Sequence, residues 1–196
     1  TVEYLEAHGV RISSRIDHDI VFTDPRTTAG VVIEWYGGVP PDDPRFGWEI
    51  PPFSVPPLLD VGAMAFGGAV VESPVAAAER LADLFATEVT FIDPDAAPGN
   101  PQAGVSLADM TLALYPLESP DVSRQLWAHV YERPQTNNLG VLVPDLAEAR
   151  AVLAEAAVPL VRDDGRQLVV DPAATGGIVL VVVDRLLPGD PRTAIA

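Results

Sequence analysis

The sequence predicts an α+β fold assembled from βαβββ units, and three observations predict it. Two segments 147 residues apart carry the same pattern, a complete unit lies between them, and a proline-rich joint sets the first segment apart.

The first segment opens with Val2-Glu3-Tyr4-Leu5-Glu6-Ala7-His8-Gly9, which reads as the last turns of a helix closed by a C-terminal glycine. A domain rarely opens partway along a helix, so a portion preceding Thr1 is expected. A short strand and a turn follow. Then come Ile20-Val21-Phe22-Thr23, an Asp24-Pro25 turn, and the strand Val31-Val32-Ile33-Glu34-Trp35-Tyr36. The closing segment repeats this order: a helix end at 152–157, strands near Leu160 and at 168–170, the Asp171-Pro172 turn and a strand at 178–183.

Between them, residues 65–71 read as a strand. Ser73-Pro74 supplies an N-cap and a first-turn proline, and Val75, Ala78, Leu81 and Phe85 follow at helical spacing. Strands at 89–92, 104–107 and 111–115 complete the unit around a turn-rich loop at 93–102. The last unit opens with a strand at 139–143. Asp145 and Glu148 form a capping box for a helix that runs to about Ala156.

Residues 1–38 therefore read as the C-terminal half of one module. Residues 39–60 are a linker, and 61–196 a complete second module of units 61–116 and 136–186. The joint carries Pro40, Pro41, Pro44, Pro51, Pro52, Pro56 and Pro57, which favour extended chain. Its Phe46, Trp48 and Phe53 predict that it lies against a domain surface. A second joint after Pro116 predicts a short helix at 122–133, carrying Leu126, Trp127 and Val130.

Composition narrows the function classes. The net charge of −16 argues against nucleic acid and anionic membranes as partners, since both reward a basic surface. The chain has no cysteine, which removes disulfides, thiolate zinc sites and thiol nucleophiles. No apolar run reaches the roughly 18–20 residues that span a bilayer. A cytoplasmic location is the default expectation.

Three stretches, in this order, resemble a known family. These are Phe22 to Glu34 with its proline turn and Gly30-Val31, Leu112-Ala113-Leu114-Tyr115-Pro116 with the linker after it, and Asn137-Asn138-Leu139-Gly140-Val141. The chain resembles the vicinal-oxygen-chelate superfamily, which includes glyoxalase I, extradiol dioxygenases and bleomycin-resistance proteins, and within it methylmalonyl-CoA epimerase. The resemblance implies a glyoxalase-like fold in which paired units form cupped mixed sheets. It also implies ligands on the first and last strands of each unit, holding a divalent ion (Zn, Ni, Co, Mn or Fe) that stabilises an enolate-like anion.

Carried over position by position, the resemblance retains Glu34 as metal ligand and catalytic carboxylate. It places Phe66 and Ala113 in the second unit, and Asn138 and Val181 in the third. Phe, Ala and Val bind no cation and Asn is a poor neutral ligand, so the second module is expected to lack metal. The implied function is an epimerase, isomerase, lyase or dioxygenase acting on a small carbonyl or carboxylate compound, with a CoA thioester among the candidates. The competing reading is a non-catalytic small-molecule binder of the bleomycin-resistance type.

Asn138, Trp35 and Phe66 are the substrate-binding candidates, although Asn137-Asn138 also reads as a loop-to-strand junction and Trp35 as core. Glu34 interrupts an apolar strand, which suits a ligand; a strand with one wet face would hold it equally well. Asp17-His18-Asp19 reads as a polar turn, because neighbours on a strand face opposite ways. His8 reads as a partner of its helix C-terminus, and Asp42-Asp43-Pro44-Arg45 as a solvated turn. Half a cup leaves one sheet face bare, so a homodimer or an N-terminal half-module is expected to cover the first unit.

Overall fold

The computed structural model describes residues 2–16, 20–38, 57–94, 102–117 and 135–194. The helix expected at 122–133, most of the linker, His18, Trp48, Trp127, His129 and Asp43 lie outside the described residues, as does the side chain of Asn137.

Residues 2–36 contain α1 (Val2–Ala7), β1 (Ile12–Ile16), β2 (Ile20–Thr23) and β3 (Glu34–Tyr36). The three strands form one antiparallel sheet in chain order. The second sheet has eight strands. Its first half holds β4 (Ala63–Val71), α2 (Pro74–Phe85), β5 (Val89–Asp93), β6 (Gln102–Leu107) and β7 (Met110–Pro116). Its second half holds β8 (Gln135–Leu142), α3 (Leu146–Glu155), β9 (Leu160–Asp163), β10 (Gln167–Val170) and β11 (Val179–Val183).

The strand order is β5-β6-β7-β4-β8-β11-β10-β9. In each half the first and last strands pair in parallel, β4 with β7 and β8 with β11. A parallel pair needs a crossover, and here the helix and the two outer strands supply it. The halves meet where β4 runs antiparallel to β8. The glyoxalase-like arrangement of cupped mixed sheets is therefore present.

Alternation along the central strands separates two faces. Leu112 and Leu114 of β7, with Ala69 and Val71 of β4, pack on Ala77, Ala78 and Leu81 of α2. Val182 of β11 and Val141 of β8 pack on Leu146, Ala149 and Leu153 of α3. The opposite, helix-free face gathers Phe66, Ala113, Val169, Val179 and Val181 in a separate buried cluster. Strands buried on both faces read as continuous apolar runs, as β7 and β11 do.

Three local readings are refined. Ser73 occupies the N-cap of α2, but its side chain makes no capping bond; its carbonyl takes the Ala77 amide at 2.9 Å instead. The Asp145 carboxylate does cap α3, accepting from Ala147 at 2.7 Å and Glu148 at 3.0 Å. Those amide bonds hold its carboxyl below the usual range. Strand β8 begins at Gln135, four residues before the expected start at Leu139. Polar Gln and Asn give little strand signal, but pairing of Gln135 and Thr136 with β4, joined from Asn138 onward by β11, decides the matter.

The first and last segments match bond for bond. Val10 N bonds Leu5 O at 2.8 Å, and Val158 N bonds Leu153 O at 2.9 Å. Asp24 N bonds Arg11 O, and Asp171 N bonds Pro159 O. After each Asp-Pro, Gly30 and Gly177 return to the proline carbonyl at 2.7 and 2.8 Å. Both glycines hold positive φ, 91° and 95°, which an L side chain rarely adopts. The order β1-β2-β3 repeats the order β9-β10-β11, and Glu34 occupies the place of Val181.

Unit one rests its helix-bearing face on α2. Trp35 stacks on Phe85 with centroids 5.3 Å apart, Leu5 and Val10 surround Leu84, and the Tyr4 hydroxyl donates to Leu84 O at 2.8 Å. His8 Nδ1 lies 2.8 Å from Tyr4 O at the end of α1, as a helix C-terminus favours.

Asp24 ties the turn together. Its carboxylate accepts from Arg26 Nε at 2.9 Å and Nη2 at 2.8 Å, and pairs with Arg11 at 2.8 Å. The Arg26 bonds hold its carboxyl down to about 2, against the opposing effect of burial. The folded carboxyl thus ionises more readily than the unfolded one. The stabilisation is complete above the ordinary value of 3.8 and is lost as pH falls toward about 2. Asp24→Asn is therefore expected to flatten this acid limb, measured as the urea midpoint against pH.

Candidate functional site

Glu34 begins β3 opposite Phe22 of β2. Its side chain is exposed and lies on the face away from α1, because Ile33 and Trp35 on either side pack against α1 and α2. Tyr36, two residues on, shares that face. The Glu34 carboxylate beside the Tyr36 hydroxyl raises the phenol above its ordinary value, as an acceptor for its proton and as a negative charge. Glu34 and Tyr36 form a carboxylate–phenol pair on the open face of the three-stranded sheet. The pairing was missed in the sequence, although an acidic and a phenolic residue at i and i+2 in an apolar strand is a usable signal.

The other candidates do not gather around Glu34. Trp35 projects to the opposite face, since successive strand residues alternate, and its indole is engaged by Phe85. Phe66 and Asn138 sit on the eight-stranded sheet. There β4 and β8 exchange equivalent neighbours. Phe66 pairs with Gly140 and Asn138 with Gly68, while Ala113 flanks Gly68 and Val181 flanks Gly140. The four positions carried over from the family resemblance thus occupy two adjacent rows of the helix-free face.

Both glycines make room for a side chain across the strand. A Cβ on Gly140 would lie 2.4 Å from Phe66 Cε1, and one on Gly68 2.8 Å from Asn138 Nδ2. Phe66 is 1% exposed and Asn138 5%. Among the described residues neither Oδ1 nor Nδ2 of Asn138 has a hydrogen-bond partner.

These residues do not make a metal site on their own. Among the described residues no three His, Asp or Glu side chains gather closely enough to hold an ion. Glu34 provides one carboxylate, whereas divalent cations in protein sites take several donors. Three of these four positions on the eight-stranded sheet, Phe66, Ala113 and Val181, carry no cation donor at all.

A cleft of about 1050 Å³ opens between unit one and the start of α2. Arg11, Asp24, Arg26 and Ser73 line it, over Ile12 and Ala77. Glu34 is not among its walls. Among the described residues no helix is long and apolar enough to cross a membrane.

No protein-family model matches the chain, and no curated protein matches it. Solved structures do. A methylmalonyl-CoA epimerase from Mycobacterium tuberculosis is 19% identical, covering 73% of this chain and 98% of that one, with a TM-score of 0.52. A Streptomyces coelicolor methylmalonyl-CoA epimerase bound to 2-nitronate-propionyl-CoA is 15% identical, covering 63% and 97%, with a TM-score of 0.54. A methylmalonyl-CoA epimerase in complex with methylmalonyl-CoA and NH4+ is 14% identical, covering 67% and 100%, with a TM-score of 0.54. The chain shares the fold of these vicinal-oxygen-chelate proteins, and at such identities the likeness is one of fold.

Proposed function

We propose that this chain is part of a cytoplasmic vicinal-oxygen-chelate enzyme that moves a proton beside the carbonyl of a small carbonyl or carboxylate compound, a CoA thioester being the first candidate. Glu34 is its reactive carboxylate. The observation that carries the reading is the equivalence of Glu34 and Val181. The two occupy one place in the repeat, but Val181 is sealed in the complete module while Glu34 stands on an uncovered face.

In this reading residues 1–38 are half a module and residues 61–196 are a structural module carrying it. The open face of the three-stranded sheet is covered by another half-module, from a second copy or from a further segment. That half-module supplies the remaining donors for a divalent metal, whose chemistry when bound is to stabilise the anion that forms. The residues of this chain have the simpler task. The Glu34 carboxylate accepts or returns the proton, and the Tyr36 phenol orients it. Fold-level likeness supports the reaction class by analogy.

Elemental analysis of the protein purified with its complete native sequence tests this. Stoichiometric metal that disappears in Glu34→Ala is the expected result. A protein that binds a small ligand with equal affinity after metal has been stripped would instead identify a binding protein.

A further inference from the structure

We infer that the cleft between unit one and the start of α2 is a binding site for an organic monocarboxylate with an apolar body. Glu34 is not among its walls, and the inference does not rest on the role proposed for that residue.

One buried carboxylate builds the cationic wall. Asp24 is 6% exposed. Its Oδ2 meets Nη2 of Arg26 and Nη2 of Arg11, each at 2.8 Å. Two guanidiniums that would otherwise repel are thereby held side by side. Backbone bonds fix them further. Asp24 N donates to Arg11 O at 2.8 Å, and Arg11 N donates to the Thr27 hydroxyl at 3.1 Å. Asp24 takes only the Nε and Nη2 edge of Arg26, whose side chain stays 78% exposed. Among the described residues, Nη1 of Arg26 meets no acceptor.

A second turn of the same sequence shows what that outer edge can hold. Asp190-Pro191-Arg192-Thr193 repeats Asp24-Pro25-Arg26-Thr27. In both, the aspartate accepts from the arginine amide at 3.0 Å. In both, it also receives Nε and Nη2 of the guanidinium. In the second copy the outer edge is occupied. Nη1 of Arg192 donates to Met64 O at 2.7 Å, and Nη2 to Ala65 O. The turn thus presents its arginine to two oxygens at once. In the first copy the same edge borders the cleft. A carboxylate would bring it two oxygens in one plane, and a charge.

The rest of the cleft selects the body and limits the charge. Its volume is about 1050 Å³, enough for a whole small molecule. Ile12, Ala29 and Ala76 give it an apolar lining, and Glu72 stands on the α2 side. The walls therefore carry two cations and two carboxylates. One anionic group fits at the guanidiniums, whereas a polyphosphate would carry further negative charge toward Glu72. Because unit one and α2 line the cleft together, occupancy would fasten unit one to the complete module.

Calorimetric titration of the whole chain with 2-naphthoate at neutral pH tests the site. Saturable binding is expected, with 2-naphthamide and ATP both much weaker. Arg11→Gln and Arg26→Gln should each weaken naphthoate about tenfold, as for the loss of one charge-assisted hydrogen bond. Each leaves Asp24 one guanidinium. Ala76→Phe, at an exposed helix position, fills the cleft without changing its charge and should abolish binding. Glu72→Gln should narrow the gap between ATP and naphthoate. If an arginine variant loses cooperative unfolding, Ala76→Phe and the naphthamide comparison decide alone. Absence of saturable naphthoate binding at millimolar concentration would overturn the inference. So would an affinity unchanged by Ala76→Phe or by both arginine variants, or naphthamide or ATP binding as tightly as naphthoate.

Discussion

Replacing Glu34 with glutamine should lower turnover about 10²- to 10⁴-fold, the range associated with losing a positioned general acid or base. Folding stability should stay within about 0.5 kcal/mol, as for an exposed substitution. The split follows from placement. Glu34 is exposed and packs against no core cluster, so the isosteric amide disturbs little apart from the charge and the bond from Tyr36. A suitable readout is deuterium uptake from heavy water at the carbon beside the carbonyl, across short 2-substituted acyl-CoA thioesters and 2-oxo acids. The assembled protein should be used, since half a face is not a site. Tyr36→Phe should lose less, because it removes the group that orients the carboxylate and keeps the carboxylate itself. Unchanged exchange in Glu34→Gln, with the fold intact, would reduce Glu34 to a surface acid on a strand with one wet face.

Phe66→Ala should have the opposite profile, costing about 3–5 kcal/mol of stability. The ring is 1% exposed and fills the space that Gly140 leaves open across the strand pair. Its loss removes apolar burial and leaves a cavity that the central strands β4 and β8 cannot easily collapse into. Against a total of about 5–15 kcal/mol for a typical domain, that is a large fraction. Gly140→Ala probes the same contact from the other side, and overpacking there should cost about 1–3 kcal/mol. Urea unfolding of both variants would show it. A Phe66→Ala protein as stable as wild type, with altered ligand binding, would return Phe66 to the role of a substrate contact.

The two predictions separate residues that the sequence had grouped together. Glu34, Trp35, Phe66 and Asn138 were all candidate site positions. The register between β4 and β8 places Phe66 and Asn138 as equivalents, in agreement with their alignment in the repeat. Trp35, adjacent to Glu34 in sequence, is carried to the other face. Alternation along a strand makes the separation of Glu34 and Trp35 readable in advance; which of the two would be covered is not. The neighbour that covers Trp35 is Phe85, fifty positions away in the chain.

The C-terminal segment illustrates the same division. The Asp-Pro-Arg-Thr turn is written in the sequence twice, and local hydrogen bonds suffice to form it in both places. The copies hold different partners: Arg192 bonds the carbonyls of Met64 and Ala65 on β4, whereas the Asp24 turn is tied to Arg11, just before β1. The repeat extends further than either described copy: Asp43-Pro44-Arg45 lies 147 positions before Asp190-Pro191-Arg192, outside the described residues.

Taken alone, the sequence determined the repeat and, among the described residues, the helices and most strands, since these follow from spacing, turn chemistry and capping within a few neighbouring residues. It also determined that a carboxylate stands in one copy where valine stands in the other. The tertiary structure decided which face each strand lost to packing, that polar Gln135 to Asn138 would form a central strand, and that the C-terminal segment would lie across the sheet. Those outcomes depend on partners far away in the chain, and burial against such partners outweighs the modest local preferences that a sequence displays.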